Sequence, residues 1–455
     1  MDFTIPEITH NRTLEGSVNS TVSITASSTD PASGIARAEL YYRKGGEMTW
    51  QAPIDMRTLN TYQIAGSFVT SAGVEYYLEA EDVAGNIRRE PAAGFYSIEI
   101  SIASPGLSST KEWPSGVPNG TSVSSYQLVS FPGTASNNTP TDILVNQQAS
   151  NWGAYDNTKW RFFTYGAGDW IEFAGITSID PGLGYFLIVK DAGKNISTGL
   201  TRSVETDEPF SISLPAGEWK FLGNPFDFEI PLLNVYDQDS VSMAGNANFQ
   251  TYDGGWVTAT KLEPWSGYIY KSASGGQLFI NPRKTNGGTA KVVDNSIAFL
   301  DDDEWLIDIT ALNGYARDLR NQVGVLHRAQ DTYDPLDSFE PPLLPGGISL
   351  RIDNRDWPAN SDIYTTDIKS VNPEGSFWDM EVVASNVKYN VNLSFAGLED
   401  LPEEYDIFLI DKSIGTAQNL RGRPDYYYAI SSAKSTRNLR LVAGTRDFVN
   451  ANNAG

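Results

Sequence analysis

The chain has 455 residues and a formal net charge of −23, with no cysteine, two histidines, and 11 Trp, 22 Tyr and 20 Phe. The absence of cysteine excludes disulfides, thiolate catalysis and cysteine zinc sites, and two histidines cannot form a three-histidine metal site. The acidic balance argues against binding to a nucleic-acid backbone, which needs clustered Lys and Arg. The length predicts about three domains.

No segment of the sequence has the pattern of a leader or a membrane span. The first residues, MDFTIPEITHNRT, lack the basic and apolar regions of a signal peptide. Nowhere does a run of about 18 apolar residues occur. We therefore expect no membrane insertion, and the chain is either cytoplasmic or the excised part of a longer secreted precursor.

Short alternating segments separated by Gly, Pro, Asn and Asp predict an all-β protein built from tandem β-sandwich domains. Residues 1–104 form the first predicted unit. Its apolar residues Ala38, Leu40 and Tyr42 alternate with charged ones, so one strand face should pack on a core. The pattern fits an immunoglobulin or fibronectin type III sandwich without its disulfide. The predicted strands are residues 21–27, 36–44, 61–67, 73–82 and 94–102.

Three segments of this unit resemble the immunoglobulin-like modules of large secreted bacterial proteins: DPASGI (30–35), LYYR (40–43) and GVEYYLEAEDVAGN (73–86). In those modules an A-x-D-x-A-G-N turn joins the last two strands. Asp82 and Asn86 can bond the local backbone while Gly85 takes a positive φ, which predicts a hairpin. Calcium coordination by Asp30 or Asp82 is the alternative interpretation.

The middle of the chain contains a predicted linker and an internal repeat. Residues 105–122 are rich in Ser, Gly and Pro, as linkers are. Residues 123–285 carry two copies of a three-segment pattern, which predicts a pseudo-twofold repeat β-domain whose halves bury each other's apolar faces. The matching segments are 126–132 with 219–226, 160–170 with 249–256, and 180–189 with 263–271.

Seven of the eleven tryptophans lie between the start of the linker and the end of the repeat domain. Trp170, Trp256 and Trp265 stand at or beside predicted turns, where exposed rings could stack on sugars. These three are the candidate ligand-binding residues. The favoured interpretation is instead that paired aromatics fill the core, because each buries about 150–250 Å².

Residues 286–449 predict a large jelly-roll-like β-sandwich, followed by a tail at 450–455. Its acidic run places Asp331, Asp334, Asp337 and Glu340 three residues apart, with prolines after them. Four carboxylates could hold calcium, the only cofactor that the sequence suggests. A solvated loop stiffened by proline is the alternative. The predicted strands are residues 304–312, 322–329, 347–353, 362–370, 376–385, 388–397, 405–412, 426–431 and 438–444.

The acidic run and the Pro-Pro after it resemble a region near the C-terminal end of bacterial proteins exported by the type IX secretion system. In those proteins the run precedes a strand like ISLRI, at residues 348–352 here, and segments 409–412, 419–421 and 438–444 continue the resemblance. The resemblance implies an extracellular or cell-surface accessory region, which in such proteins often follows a peptidase domain. It also implies that the sorting domain would follow residue 455.

A search for catalytic patterns assigns no catalytic residue. The sequence has no Gly-x-Ser-x-Gly, HExxH, P-loop or dinucleotide fingerprint. A serine triad needs a histidine, and both His10 and His327 are expected at structural or surface positions. Glycoside hydrolysis needs only two carboxylates, and 56 acidic residues offer too many pairs to choose from.

The leading hypothesis is a non-catalytic accessory, spacer or adhesion region of a secreted or cell-surface bacterial protein. Three alternatives stay open: a carbohydrate-binding region using the aromatic repeat domain, a structural or filament-forming surface protein, and a β-rich glycosidase. The glycosidase predicts two carboxylates facing each other across a groove. The expected partner is a polysaccharide or another surface protein, without nucleic acid, and the sequence does not fix the oligomeric state.

Overall fold

A computed structural model describes residues 2–111, 113–116, 118, 123–147, 152–288, 290–292, 300–432 and 435–452. Strands make up 46% of the chain and helices 7%, which confirms the all-β prediction. None of the helices in the described part of the chain has the length and apolar character needed to cross a membrane.

The first unit is a two-sheet sandwich built from strands β1 to β9. One sheet has the order β1-β3-β6, and the facing sheet runs β9-β7-β4-β5, with β2 beside β9 and β8 beside β7. Alternation along the strands explains the packing, since Val22, Ile24 and Ala26 are buried between exposed neighbours. The strands are Glu7–His10, Glu15–Ser17, Val22–Thr29, Ile35–Lys44, Ile54–Asp55, Thr61–Ile64, Val74–Asp82, Ile87–Glu90 and Tyr96–Ile102.

The second unit contains strands β10 to β24. Its two four-stranded sheets confirm the internal repeat. Two four-stranded sheets have the equivalent orders β10-β14-β12-β13 and β17-β23-β20-β21. The strands are Gln127–Ser130, Thr134–Ala135, Trp160–Gly166, Asp169–Glu172, Gly184–Val189, Thr201–Arg202, Phe210–Leu214, Trp219–Gly223, Ile230–Pro231, Val235–Asp237, Phe249–Tyr252, Trp256–Thr258, Lys261–Leu262, Gly267–Lys271 and Gly276–Ile280.

The first two units share a sheet across the predicted boundary at residue 104. Strand β15 pairs with β9, and β11 extends the same sheet beyond β15. Within the predicted linker Leu107 and Trp113 are buried, so this part of it packs on the fold. Linker positions 112, 117 and 119–122 lie outside the described residues.

The third unit is a single eleven-stranded sheet that curls into a half-barrel around its core. Its main path runs β33-β32-β35-β30-β28-β29-β26-β25-β31-β34, with β27 beside β29. The strands β25 to β35 are Trp305–Asn313, Ala316–Val325, Ser338–Phe339, Ile348–Asn354, Asp362–Lys369, Gly375–Ala384, Val391–Ala396, Asp406–Asp411, Thr416–Asn419, Asp425–Tyr428 and Ser435–Gly444.

Helical structure is confined to short segments. The α-helix α1 spans Arg446–Asn452 and therefore extends into the predicted tail. The remaining segments are the 3₁₀ turns Gly66–Phe68, Val123–Ser125, Phe173–Gly175, Leu232–Asn234 and Leu398–Asp400, and the π-helical turn Thr141–Asn146.

One hydrophobic core joins the repeat domain to the third unit. It contains Tyr126, Phe186 and Phe221 from the repeat and Trp305 and Trp378 from the half-barrel. Large aromatic rings dominate this core, as is expected in a chain without disulfides. The two units therefore pack against each other, and a cleft lies where they meet.

Candidate functional site

A cleft of about 550 Å³ lies where the repeat domain meets the third unit. Its volume falls within the roughly 300–1,000 Å³ typical of small-ligand sites. Both units contribute polar side chains to its walls, and the repeat domain also contributes the aromatic rings of Tyr252 and Trp256. The principal lining residues are Gln250, Tyr252, Trp256, Thr258, Asp308, Arg317, Asp318, Arg320, Gln322, Ser338, Glu340, Leu343, Ser349 and Thr365.

Two hairpins form opposite walls of the cleft. The repeat domain supplies the β20–β21 hairpin, and the third unit supplies β26 from the β25–β26 hairpin. Arg317 Nε donates to the carbonyl of Gly254 at 3.3 Å, and Arg320 Nη1 donates to Thr258 Oγ1 at 3.2 Å. These hydrogen bonds cross between the two units, so both arginines help to fix the width of the cleft.

Glu340 lies at the floor of the cleft and is only 6% exposed. Ser349 Oγ donates to Glu340 Oε1 at 2.6 Å, while Oε2 has no hydrogen-bond partner among the described residues. Trp219 Nε1 fixes the backbone by donating to the Glu340 carbonyl at 3.0 Å. A buried polar atom without a partner is costly, and Oε2 is closed off from water, so ionisation of this side chain is disfavoured.

Asp318 forms a carboxyl pair with Glu340. The Leu350 amide donates to Asp318 Oδ2 at 2.8 Å. Burial raises the pKa of Asp318 to about 6. Burial, and next the charge of Asp318, raise the pKa of Glu340 well above its usual value. Burial thus disfavours the charged form of both carboxyl groups, and the charge of each disfavours ionisation of the other.

Ser349 and Arg351 lie beside the two carboxyl groups. Arg351 favours the charged form of both carboxyls and donates through Nε to Ser349 Oγ at 2.9 Å. Ser349 Oγ in turn donates to Glu340 Oε1. The two carboxyl groups therefore share a positively charged neighbour.

The three candidate tryptophans occupy different environments. Trp256 is half-buried in the cleft wall, edge-on to Tyr252 at a ring separation of 5.2 Å. Trp170 is half-buried behind that wall and donates through Nε1 to the carbonyl of Leu343 at 3.2 Å. Trp265 is 5% exposed and lies in the core of the repeat domain. They do not form one row of exposed rings.

The four candidate calcium ligands also differ in exposure and in hydrogen-bond partners. Asp331 is exposed and accepts from the amide and hydroxyl of Ser370. Asp334 and Asp337 are buried, and backbone amides donate to both carboxyls. Only Glu340 reaches the cleft. Within the described ranges, the acidic or histidine groups close enough to share an ion are Asp301–Glu304–His327 and Asp2–Asp30–Asp82.

Sequence reasoning did not single out Asp318, Arg317 or Arg320. All three lie on β26, in a stretch of mixed charge that is indistinguishable from an ordinary solvated strand face. Their role depends on the repeat domain covering that strand, which is a long-range contact. Of the residues that the sequence did single out, Trp256 and Glu340 come together in the cleft, although they were expected to serve different ligands.

The comparisons with known proteins do not provide a relative from which a site could be transferred. No protein-family description matches the chain, and no curated protein matches it significantly. The geometry of the cleft is therefore the main observation from which a function can be inferred.

Proposed function

We propose that this chain is a non-catalytic accessory region of a secreted or cell-surface bacterial protein, and that it binds carbohydrate in the cleft between the repeat domain and the third unit. The observation that carries the proposal is the combination of an aromatic ring, charged donors and a carboxyl pair in one cleft. The bacterial and extracellular part of the proposal rests on the resemblance to type IX secretion proteins.

The chemistry of a sugar matches this lining. Sugar hydroxyls both donate and accept hydrogen bonds, and the ring has an apolar face that packs on aromatic side chains. The cleft supplies a donor in Arg320, an acceptor in Asp318, and an amide with both functions in Gln250. Trp256 supplies an aromatic surface.

The charges of the lining favour a neutral ligand. Arg317 and Arg320 contribute two positive charges, and Asp308 and Asp318 contribute two negative ones at neutral pH. The whole chain carries −23, so its long-range field repels polyanions. A neutral oligosaccharide can hydrogen-bond to the lining, and neither the charges of the cleft nor the net charge of the chain repels it.

The direct test is calorimetric titration of the full chain with a panel of neutral and acidic oligosaccharides, at pH 7. We expect at least one neutral oligosaccharide to bind. The variant Arg320→Ala should weaken that binding by roughly tenfold, because a hydrogen bond to a charged group contributes about 1.5–3 kcal/mol. Trp256→Ala should weaken it further by removing the aromatic surface.

Arg57→Ala is the matched control, because Arg57 is an exposed arginine of the first unit, paired with Asp55 and distant in the fold from the cleft. It should bind the oligosaccharide with unchanged affinity. Absence of binding across the panel, or equal affinity for wild type and Arg320→Ala, would rule out carbohydrate recognition in this cleft.

The carboxyl pair makes a glycoside hydrolase the second candidate. Such enzymes use an acid with a raised pKa and a second carboxyl group, and burial raises the pKa of Glu340 well above its usual value and that of Asp318 to about 6. Incubation of the same oligosaccharides with the chain, followed by reducing-end analysis, separates the two candidates. A non-catalytic region releases no product, whereas release that Glu340→Gln abolishes would replace our proposal with the hydrolase.

A further inference from the structure

We infer that the first unit binds a calcium ion at one end of its sandwich, between Asp2, Asp30 and Asp82. One carboxylate oxygen from each of these residues lies within 4.8 Å of the others. The three come from separate parts of the chain: the segment before β1, the loop after β3, and the turn after β7. Their convergence is therefore a product of the fold and not of sequence proximity.

Two oxygens of this cluster are buried and have no partner. Oδ2 of Asp2 and Oδ2 of Asp30 are both closed off from water and accept no hydrogen bond from any described residue. The whole Asp82 residue is 1% exposed. Buried carboxylate oxygens are normally hydrogen-bonded, so two unsatisfied ones at the same place mark a position where a bound cation would satisfy both.

The other oxygens of the cluster show that the carboxylates are held in position. Asp30 Oδ1 accepts from the amides of Ser33 and Gly34 at 2.6 and 3.0 Å. The amide of Asn86 donates to Asp82 Oδ1 at 2.8 Å. Each acidic side chain is thus oriented by its own loop, as ligands of a metal ion are by their hydrogen bonds.

The cluster carries an uncompensated negative charge. None of the ion pairs between described residues includes Asp2, Asp30 or Asp82. A cation between the three carboxyl groups would supply the missing partner charge.

The ligand chemistry selects calcium. All three ligands are hard carboxylate oxygens, and the set contains no histidine or cysteine, so zinc and copper are poorly matched. Calcium accepts about six to eight oxygens in flexible geometry, with water or backbone carbonyls filling the remaining positions. Magnesium demands a smaller, near-octahedral arrangement and usually keeps several waters.

A bound ion would fasten the start of the chain to the sandwich. Asn86 Nδ2 already donates to the Thr4 carbonyl at 3.1 Å, which places the N-terminal segment against the turn after β7. The ion would add a second link through Asp2. Metal binding to a folded site is coupled to folding, so calcium should stabilise the first unit.

The test is calorimetric titration of the full chain with calcium chloride after treatment with EDTA. Asp30→Asn retains an oxygen that can accept from Ser33 and Gly34 while it replaces the unsatisfied Oδ2 by an amide group. We expect one calcium ion to bind the wild type. Asp30→Asn should lose at least tenfold in calcium affinity, since mutating a residue that only holds a metal ligand in place already lowers metal affinity by about 10–100-fold.

Asp55→Asn is the matched control, because Asp55 is an exposed acid of the same unit that pairs with Arg57. It should bind calcium as the wild type does. Asp2→Asn is a second variant, and it should also weaken calcium binding. Asp2 precedes the first strand, so this substitution leaves the strands of the sandwich unchanged. No calcium binding by the wild type, undiminished binding by Asp30→Asn and Asp2→Asn, or equal affinity for magnesium would each overturn the assignment.

Discussion

Glu340 connects the acidic run of the sequence to the proposed binding cleft. Two prolines follow it, and the Trp219 indole holds its carbonyl, so its backbone is fixed on the chain that leads into β28. Its carboxyl is enclosed and lies beside Asp318, which favours the neutral acid. The same burial makes ionisation of Glu340 a cost to stability at high pH.

This cost gives a pH dependence that can be measured. The pKa of Glu340 is raised in the folded chain above its unfolded value of about 4.3. The folded state therefore holds a proton that the unfolded state has released, and stability falls as pH rises from about 4.3 toward the folded pKa. The Glu340→Gln variant should lose this contribution, which amounts to at most about 1.4 kcal/mol per pH unit.

Urea unfolding of the wild type and of Glu340→Gln between about pH 5 and 8 measures this difference in the free energy of unfolding. This pH range lies above the unfolded pKa of Glu340, which is about 4.3. Glu340→Gln should show the shallower fall of the free energy of unfolding with pH. Parallel curves for the two proteins would mean that the pKa of Glu340 is not raised in the folded state.

Single residues were predictable only where local chemistry determines their role. Asp82, Gly85 and Asn86 form the predicted turn, with Gly85 at φ 90° and Asn86 bonded to Asp82, because a turn depends on neighbours in sequence. The roles of Trp265 and Asp318 depend on segments far along the chain. No local pattern separates a tryptophan in a pseudo-symmetric core from one on a surface.

At the scale of elements, the two copies of the repeat meet through equivalent glycines. Gly184 begins β14 and packs against the backbone of Leu222 on β17, in the other copy. Gly267 begins β23 and packs against Val129 on β10, in the first copy. The contacts are reciprocal, as a pseudo-twofold arrangement requires.

A side chain at either glycine should separate the two copies. A Cβ on Gly184 would lie 2.4 Å from the Leu222 carbonyl oxygen, and one on Gly267 would lie 2.8 Å from that of Val129. Gly184→Ala and Gly267→Ala should each lower the free energy of unfolding by roughly 1–3 kcal/mol, the usual cost of overpacking. Gly422→Ala is the control, since a Cβ there meets nothing within 4 Å.

Thermal or urea unfolding of the three variants provides the comparison. Equal stability of Gly184→Ala and Gly422→Ala would contradict the close contact between copies. The repeat itself was predictable, because paired Pro, Gly and Tyr patterns reveal it directly. The extension of the first sheet by β11 and β15 was not, since two-residue strands carry no periodicity.

At the scale of the whole molecule, buried charge links the first unit to the second. Glu75 is fully buried and accepts from Arg43 at 2.5 Å and from Arg283 at 2.8 Å. Arg283 lies at the end of the repeat domain, so this network crosses between units. Together with the sheet shared by β9 and β15, it makes the first unit part of the same body as the repeat domain.

The arrangement of the units explains why the fold class was predictable and the cleft was not. Alternation and turn residues determine strands locally, and many short strands of this kind build sandwiches or barrels. The cleft exists because the β20–β21 hairpin covers β26, and that contact depends on the aromatic core shared by the two units. The many aromatic residues predicted such a core, but they did not predict which faces of the two units it would join.

The central claim is that carbohydrate binds between the repeat domain and the third unit. A crystal structure of the full chain with the tightest-binding oligosaccharide tests it most directly. We predict a sugar ring against Trp256, with its hydroxyls bonded to Asp318, Arg320 and Gln250. A sugar bound outside this cleft, or a cleft that stays free of sugar at saturating concentration, would contradict the account.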